Sequence, residues 1–422
     1  MRYCAMSKSL PLVDVELACL RAGARNVSSK PRFGQVFCDL EPEQAEKLSK
    51  QPNVVVKEIR GTSLSQVITL PEEEIVALGT GFNINDVFEG FRAAFSPALT
   101  GDGLTVAVLD SGIRSSHEAL QGKVILERNF SQSETASDIF GHGTSVAYLI
   151  AGGLHGQANT GVAPGAVLIN IKVLNDDGEG TDEMLINGID AVCDLVDAAV
   201  RDGKSANHPD YPNLINISAG AADDGDPDNP VRVACRVAVL EHGLQIVAAA
   251  GNGGSQMSTV VTPATDPWVV AIGGLNSGTF AVWDQSSRGP TKEGIVKPDF
   301  VLYATDLQMA DKESDTAYVA KSGTSFSAPI ASGIIGLIWE LGRREFGPAW
   351  YVSWYDVENV APSVCLKPSD APSGKDNDYG YGTPALSAMV TGAQQSSADL
   401  TPVMGLGMMA LMLGMVVSVV RR

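Results

Sequence analysis

Short apolar runs alternate with helical segments from Leu104 onward, and this alternation limits the fold more than any other feature of the sequence. Six of the runs predict strands, at 104–109, 124–126, 166–173, 214–218, 244–250 and 268–273. Strands that alternate with helices are typical of a parallel sheet with helices on both faces. We therefore expect a large α/β domain.

Polar side chains stand where two of these strands end and where a helix begins. The first run leads into Asp110, and the run 244–250 leads into Gly251 and Asn252. His142 opens an apolar helical segment that continues to Ala151. The carboxyl ends of buried parallel strands are where α/β proteins place working residues. These positions are therefore candidates for a functional site.

A serine lies in a run of small residues, Lys321 to Pro329, immediately before an apolar segment from Ile330 to Leu341. This segment predicts a buried helix with small residues on its contact face, namely Ala331, Ser332, Gly333 and Gly336. The helix dipole and the free backbone N–H groups favour negative charge beside Ser325. A serine hydroxyl is a poor nucleophile until a base takes its proton, so other residues must supply that base.

Four motifs together resemble the subtilisin-like serine proteases, the subtilase family. They are Asp110-Ser-Gly, His142-Gly-Thr, Ala250-Gly-Asn252, and Gly323-Thr-Ser325 with Pro329 four residues later. The order Asp, His, Ser is the subtilisin order of the catalytic triad. The resemblance covers about residues 86 to 390 and implies a subtilisin-like fold and serine endopeptidase activity.

The resemblance also implies a role for each residue. Ser325 would be the nucleophile, His142 the general base and acid, and Asp110 the group that orients the imidazole. Asn252 would donate its amide to the oxyanion beside the backbone N–H of Ser325. Read singly, the same residues are a helix-capping serine, a structural histidine, a strand-end aspartate and a turn asparagine.

Substrate binding in the family is by strand addition, in which an extended peptide pairs with open strand edges. The resemblance implies two such edges and one pocket wall. The residues concerned are Ser218, Ala219, Gly220, Gly178, Glu179, Gly180, Ala249, Ala250 and Gly251. The small residues predict a roomy pocket for the side chain before the cleaved bond.

Four aspartates, Asp223, Asp224, Asp226 and Asp228, follow the first of these edges. They would favour basic substrate side chains if they face the cleft. The alternative is a solvated acidic loop in an acidic protein, which we prefer because charge runs are usually solvated.

No metal or cofactor is predicted. Many subtilases bind calcium through an aspartate that follows the catalytic one, but Ala119 stands at that position here. The loop 153–159 also lacks carboxylates, which calcium requires above all. We expect the usual strong calcium site to be absent, and weak calcium binding elsewhere stays open.

The N-terminal part predicts a separate small domain. Residues 34–60 show the pattern strand, helix, strand, with acidic residues and Pro42 at the start of the helix. This resembles the second half of a subtilase propeptide, an α+β domain that acts as an intramolecular chaperone and inhibitor. We expect such a domain at 1–80 and the catalytic domain at 86–390. The alternative is a permanent N-terminal domain.

Residues 400–420 carry no charge and are followed by Arg421 and Arg422. A run of this length predicts a transmembrane helix, reached through a polar linker at 391–399. The arginine pair favours a catalytic domain outside the cytoplasm. The first forty residues contain no signal peptide, however, so export by another route, a start farther upstream and a cytosolic tail-anchored form stay open.

The net charge of −19 argues against nucleic acid as a partner. The six cysteines have no metal-binding or disulfide spacing and predict free or buried thiols. The expected partners are protein or peptide substrates, the propeptide and the membrane. A catalytically silent scaffold protein and a maturation protease with one substrate are the alternatives in function.

Overall fold

The computed structural model describes residues 1–63, 68–69, 81–153, 160–347, 350, 357, 359, 361–362 and 364–385. The predicted linker at 391–399 and the predicted membrane helix at 400–420 lie outside the described residues. So do most of the predicted junction between the two domains and the end of the predicted catalytic domain.

The N-terminal domain is a four-stranded antiparallel sheet with two helices on one face. Its elements are β1 (Arg2–Met6), α1 (Leu12–Arg21), β2 (Arg25–Lys30), a 3-10 turn (Pro31–Phe33), β3 (Gln35–Asp39), α2 (Pro42–Ser49) and β4 (Val55–Glu58). The strand order is β2-β3-β1-β4. Helix α2 begins with a capping box, in which the side chains of Glu41 and Gln44 each accept from the other's backbone N–H. The predicted strand, helix and strand in 34–60 are therefore present.

The described part of the chain after residue 60 begins with β5 and β6 of the N-terminal segment and continues as the larger domain. In chain order its elements are β5 (Gly61–Ser63), β6 (Ile68–Thr69), α3 (Asn85–Ala93), β7 (Thr105–Asp110), a 3-10 turn (Glu118–Leu120), β8 (Val124–Asn129), α4 (His142–Ala151), β9 (Val167–Lys172), β10 (Glu179–Thr181), α5 (Asp182–Arg201), β11 (Leu214–Ile217), β12 (Ala221–Ala222), α6 (Pro230–His242), β13 (Gln245–Ala249), β14 (Val261–Thr262), β15 (Val270–Leu275), β16 (Phe300–Tyr303), β17 (Leu307–Ala310), β18 (Tyr318–Ser322), α7 (Thr324–Phe346), β19 (Cys365–Leu366) and β20 (Thr383–Pro384).

Seven of these strands build one parallel sheet in the order β16-β15-β13-β11-β7-β9-β8. All six predicted strands lie in it. The sequence did not predict β16, because four apolar residues after Pro298 are too short a run to distinguish a strand. The sequence from Val87 to Ala98 also predicts a helix, which in the structure begins at Asn85 and ends earlier, at Ala93. Pro97 explains this difference, since a proline disfavours helical backbone at the residue before it.

The strand order reverses at β7, because the chain first adds β9 and β8 on one side of it and later β11, β13, β15 and β16 on the other. Strands β7, β11 and β13 are neighbours, and their carboxyl ends lead to Asp110, Ser218 and Asn252. In open α/β sheets the crevice at such a reversal is where ligands bind.

The sheet separates two hydrophobic clusters. Along β7, Val106 and Val108 face the cluster that holds α4 and α7, while Ala107 and Leu109 face the cluster that holds α5 and α6. This alternation follows from the period of two in a strand. Helices therefore cover both faces, as the sequence predicted.

Small residues let helix α7 approach its neighbours closely. A β-carbon on Gly333 would lie 2.5 Å from Cβ of Val162, and one on Gly336 would lie 2.3 Å from Cδ2 of Leu104. Both distances are far below van der Waals contact. The predicted small contact face of this helix is confirmed.

The N-terminal domain packs on α5 and α6 through the face of its sheet that its own helices leave open. Cys4, Met6, Phe33 and Phe37 join the hydrophobic cluster of these two helices. Ion pairs surround this apolar centre, with the cation on the N-terminal segment in every pair. They are Arg2–Glu183, Lys8–Asp228, Lys30–Asp190, Arg32–Asp190, Arg32–Asp194, Arg32–Asp197, Lys57–Asp226, Arg60–Asp182 and Arg60–Asp224.

We expect Gly333→Ala to destabilise the protein by about 1–3 kcal/mol, because the added methyl group overpacks the contact with Val162. Thermal unfolding measures the effect, in a Ser325→Ala background if the protein digests itself. Gly90→Ala is the matched control, because Gly90 is an exposed helical glycine with no neighbour within 4 Å of an added β-carbon. This control should be neutral or stabilising by up to about 1 kcal/mol. Equal stability of both variants would contradict the prediction.

Candidate active site

Asp110 and His142 form a buried pair. Strand β7 ends at Asp110 and helix α4 begins at His142, and Nδ1 of the histidine lies 2.8 Å from Oδ1 of the aspartate. Both side chains are 1% exposed. The same carboxylate oxygen accepts from the backbone N–H of Ser111 at 2.7 Å. A carboxylate in this position holds the ring proton on Nδ1 and leaves Nε2 available as a base.

Helix α4 is held in place by Asp138, a residue that the sequence did not single out. Oδ1 of Asp138 accepts from Ser111 Oγ at 2.9 Å and from Gly141 N at 2.7 Å. Oδ2 accepts from the backbone and the hydroxyl of Thr144 at 2.8 and 2.7 Å. One buried carboxylate thus links the residue after Asp110 to the first turn of α4. Asp138 lies in a polar stretch without periodicity, and only its position four residues before His142 would have pointed to it.

Gly143 permits the close approach of α4 to the Asp110 turn. A β-carbon at Gly143 would lie 2.1 Å from the carbonyl oxygen of Gly112 and 3.2 Å from Oδ1 of Asp110. No larger residue fits there without moving His142 away from its carboxylate.

Ser325 lies in the first turn of α7 and exchanges two hydrogen bonds with Ser218. Pro329 has no N–H, so the helix leaves the carbonyl of Ser325 free, and Ser218 Oγ donates to it at 2.8 Å. Ser325 Oγ in turn donates to the carbonyl of Ser218 at 3.0 Å. Nε2 of His142 has no hydrogen-bond partner among the described residues. The hydroxyl must therefore rotate from Ser218 to reach this base.

The side-chain amide of Asn252 has a fixed orientation. Its Oδ1 accepts from the backbone N–H and the hydroxyl of Thr324 at 2.9 and 2.8 Å. The hydroxyl of Thr324 also accepts from Gly251 N at 3.1 Å. Since the oxygen is engaged by Thr324, Nδ2 points the other way. It lies 3.4 Å from the position that a β-carbon on Gly323 would take, beside the start of α7.

Apolar and cationic side chains enclose the pair from the α7 side. The ring of Phe326 lies 5.3 Å from the imidazole of His142, between centroids. Lys321 is buried and donates to the carbonyl of Gly141 at 3.2 Å and to Ser145 Oγ at 3.1 Å. Its burial lowers the pKa of the ammonium group, and the charge of nearby Asp311 opposes this shift. The first turn of α4 is thus tied to the strand that leads into Ser325.

The predicted substrate edge at Gly178 to Gly180 is paired with the chain's own N-terminal segment. Strand β10 is antiparallel to β5, with Glu179 opposite Ser63 and Gly180 opposite Thr62. Farther along, β6 is antiparallel to β18, the strand that ends just before Ser325. The residues that connect β5 to β6 lie outside the described part.

The remaining predicted pocket residues are buried. Ala219 packs in the α5 and α6 cluster, and a β-carbon on Gly220 would lie 2.6 Å from the carbonyl of Thr262. Ala249 and Ala250 point into the two clusters on opposite faces of the sheet. Gly251 has a φ of 109°, in the left-handed region that favours glycine. Their contact with a substrate stays a prediction.

The acidic loop is not simply solvated. Asp224, Asp226 and Asp228 each pair with a cation of the N-terminal segment, and their side chains are 33%, 25% and 30% exposed. Asp223 is 5% exposed and accepts from the backbone N–H of Lys292. The loop thus lies at the surface, as the preferred interpretation has it, but three of its carboxylates pair with cations of the N-terminal segment. Whether it favours basic substrate side chains stays a prediction.

The prediction that the cysteines are free is confirmed. All six are unpaired, and five are buried while Cys365 is partly exposed.

The side chain of Ala119 has no atom that could bind a metal. The described residues contain no cluster of three or more His, Cys, Asp or Glu side chains that would hold one. Residues 154–159, which form most of the loop 153–159 considered above, lie outside the described part. The expected lack of a strong calcium site stays a prediction.

Comparison with known proteins points to one family. The profile described as "Subtilase family" matches residues 101–382. A subtilisin of Bacillus sp. (strain TA39) is 29% identical over 321 residues, which cover 71% of this chain and 72% of that protein. Serine protease AprX of Bacillus subtilis (strain 168) is 32% identical over 57% of this chain and 58% of its own length. The major intracellular serine protease of the same organism is 30% identical over 63% of this chain and 78% of its own length.

We expect Thr324→Val to lower kcat for a peptide substrate by roughly ten- to a hundredfold with little change in KM. The variant keeps the shape of the side chain but removes one of the two hydrogen bonds that orient the amide of Asn252, and complete loss of such a donor typically costs a hundred- to a thousandfold. Thr324→Ser, which keeps the hydroxyl, should stay within about threefold of the parent. Steady-state kinetics at a measured concentration of active enzyme decides the matter. Equal kcat for the valine and serine variants would show that Thr324 does not orient Asn252.

Proposed function

The chain belongs to the subtilase family of serine-type endopeptidases, and from this premise we propose that it cleaves peptide bonds with Ser325, His142, Asp110 and Asn252. The observation that carries the proposal is the buried pair of Asp110 and His142 at 2.8 Å, with Ser325 at the start of the neighbouring helix α7.

In the proposed reaction, Ser325 Oγ leaves the carbonyl of Ser218, gives its proton to Nε2 of His142 and attacks the peptide carbonyl. Asp110 stabilises the imidazolium that forms. The developing oxyanion accepts from Nδ2 of Asn252 and from the backbone N–H of Ser325. His142 then protonates the leaving amine, and water hydrolyses the acyl-enzyme by the same steps.

We propose that substrates bind as an added strand along Gly178, Glu179 and Gly180 on one side and near Ser218 on the other. The pairing of residues 61–63 with β10 supports this, because a segment of the chain itself uses that edge in antiparallel register. The proposed substrates are extended segments of proteins or peptides.

We further propose that the chain is made as a zymogen, with residues 1–80 as a propeptide that inhibits until it is cleaved. The support is the position of β5 on the proposed substrate edge and the docking of the N-terminal domain on α5 and α6. A permanent domain would hold the same contacts, and only cleavage distinguishes the two.

Membrane attachment is a proposal that rests on the apolar run 400–420 alone. Among the described residues, α7 has the length and composition to cross a membrane, but it is buried in the core of the larger domain. We therefore assign the proposed span to the C-terminal run, and the side on which the catalytic domain lies stays a hypothesis.

A silent scaffold and a maturation protease remain the alternatives. The intact set of Asp110, His142, Asn252 and Ser325 speaks against the scaffold, because loss of activity usually removes a member. A single substrate in place of broad cleavage would favour the maturation protease.

A fluorophosphonate probe tests the activity directly. We expect the parent chain to be labelled and to lose roughly its first 80 residues, as seen by intact mass. Ser325→Ala should stay unlabelled and full-length, because it lacks the nucleophile. A folded parent of full mass without label contradicts self-processing. If trypsin cleavage near residues 64–80 then restores labelling, the chain is a zymogen for another protease, and if not, the activity itself is refuted.

The ionic contacts predict the strength of propeptide docking. Arg32 bridges Asp190, Asp194 and Asp197, so Arg32→Ala should weaken docking by roughly 1–2 kcal/mol. Hydrogen exchange in the Ser325→Ala chain should rise in α5 and in the segment from Lys30 to Phe33 that contacts it. Arg25→Ala is the control, because Arg25 is 78% exposed and pairs with Glu41 of its own domain. Equal exchange in the two variants would argue against an ionic contribution to docking.

A further inference from the structure

The N-terminal segment places one side chain, Arg60, in a site built by the larger domain. Arg60 immediately precedes β5, and its carbonyl accepts from Asp182 N at 3.1 Å. The antiparallel pairing of β5 with β10 therefore extends by one residue, from Thr181 opposite Gly61 to Asp182 opposite Arg60. The backbone at Arg60 thus continues the antiparallel pairing that β5 makes with β10.

The guanidinium group contacts three acceptors of the larger domain. Nε donates to Oδ2 of Asp182 at 3.2 Å, and Nη1 donates to the carbonyl of Ala222 at 2.7 Å. Nη1 also lies 3.4 Å from Oδ2 of Asp224. The side chain of Asp182 is only 2% exposed. Acceptors on two sides, met by Nε and by Nη1, suit the planar fork of arginine better than the single ammonium of lysine.

These acceptors are fixed by contacts within the larger domain. Asp182 is the first residue of α5, behind the N-cap Thr181. Asp224 accepts from the side chain of Asn229 at 2.9 Å and from Asp226 N at 3.1 Å. Ala222 belongs to β12, which is paired with β14. The larger domain therefore sets the backbone at all three positions, whereas the carboxylate of Asp182 also accepts from Nε and from the backbone N–H of Arg60.

We infer that Asp182, Asp224 and the carbonyl of Ala222 form a distal subsite that selects arginine in peptide substrates. The selected residue lies on the amino-terminal side of the cleaved bond, directly before the three residues that pair with β10. The inference rests on the proposed function, because it assumes that substrates follow the path of residues 60–63. The carboxylate of Asp182 is buried when this position is occupied, as it is by Arg60, so an uncharged residue there loses the ion pair and binds less well.

Arginine selection is tested by cleavage of a proteome-derived peptide library, with cleavage sites mapped by mass spectrometry. The enzyme is the full chain after activation, with its active concentration set by fluorophosphonate titration. We expect arginine to be enriched at one upstream position and lysine to be enriched much less. In Asp182→Asn/Asp224→Asn the enrichment should fall to background.

A matched control separates this subsite from the general acidity of the loop. Asp226→Asn removes a carboxylate of the same loop that pairs with Lys57 of the N-terminal domain, away from the strand that β5 forms. This variant should keep the arginine enrichment. If it loses the enrichment as fully as the double variant does, the effect comes from net charge and the subsite is refuted.

Kinetics on a peptide pair gives the second readout. Two peptides that differ only by arginine or glutamine at the enriched position should differ in KM by about tenfold in the parent enzyme, because the guanidinium gains charge-assisted hydrogen bonds. The difference should vanish in the double variant. Cleavage without any upstream arginine preference overturns the inference alone, whereas the absence of both cleavage and probe labelling overturns the proposed function and the inference with it.

Discussion

The close packing of α4 and α7 against one face of the parallel sheet is the constraint on which the rest of the site depends. His142 begins one helix and Ser325 lies in the first turn of the other, while Asp110 ends the central strand between them. Gly143 lacks a β-carbon that would meet the turn after Asp110, and Gly336 lacks one that would meet Leu104, just before β7. Interiors are packed too densely to absorb such atoms elsewhere. The hydrogen bond between Asp110 and His142 therefore depends on how closely the backbones of these elements approach.

The contact between the N-terminal domain and the larger domain has an apolar centre and a charged rim. The sheet of the N-terminal domain buries aromatic side chains between α5 and α6, and its cations meet the carboxylates of α5 and of the loop after β12. Apolar burial supplies most of the attraction, since exposed ion pairs contribute little each. The carboxylates meet cations along the N-terminal segment as far as Arg60, which immediately precedes β5 on the edge of β10. Part of the large negative charge of the chain thus has a structural partner within the chain.

Much of the fold and of the candidate site could be predicted from the sequence. Asp110, His142, Asn252 and Ser325 each follow a strand or open a helix, so local pattern and order were enough to name them. Asp138, Thr324 and Arg60 could not be named in this way. Their partners lie far along the chain or in loops without periodicity, and their importance comes only from contacts that folding creates. The ion pairs of the acidic loop could not be predicted for the same reason, because its cations lie more than 150 residues earlier in the sequence.

The sequence by itself determined the α/β class, the parallel strands, the helix starts and the family, because periodicity, glycine turns and short motifs are local properties of the chain. The tertiary structure alone decided which carboxylate faces which cation, which amide is held by Thr324, and which edge the N-terminal segment covers. Those facts depend on the approach of elements distant in sequence, where a shift of 1 Å makes or breaks a hydrogen bond. The local sequence pattern predicts secondary structure, but it does not place distant elements relative to one another to within 1 Å.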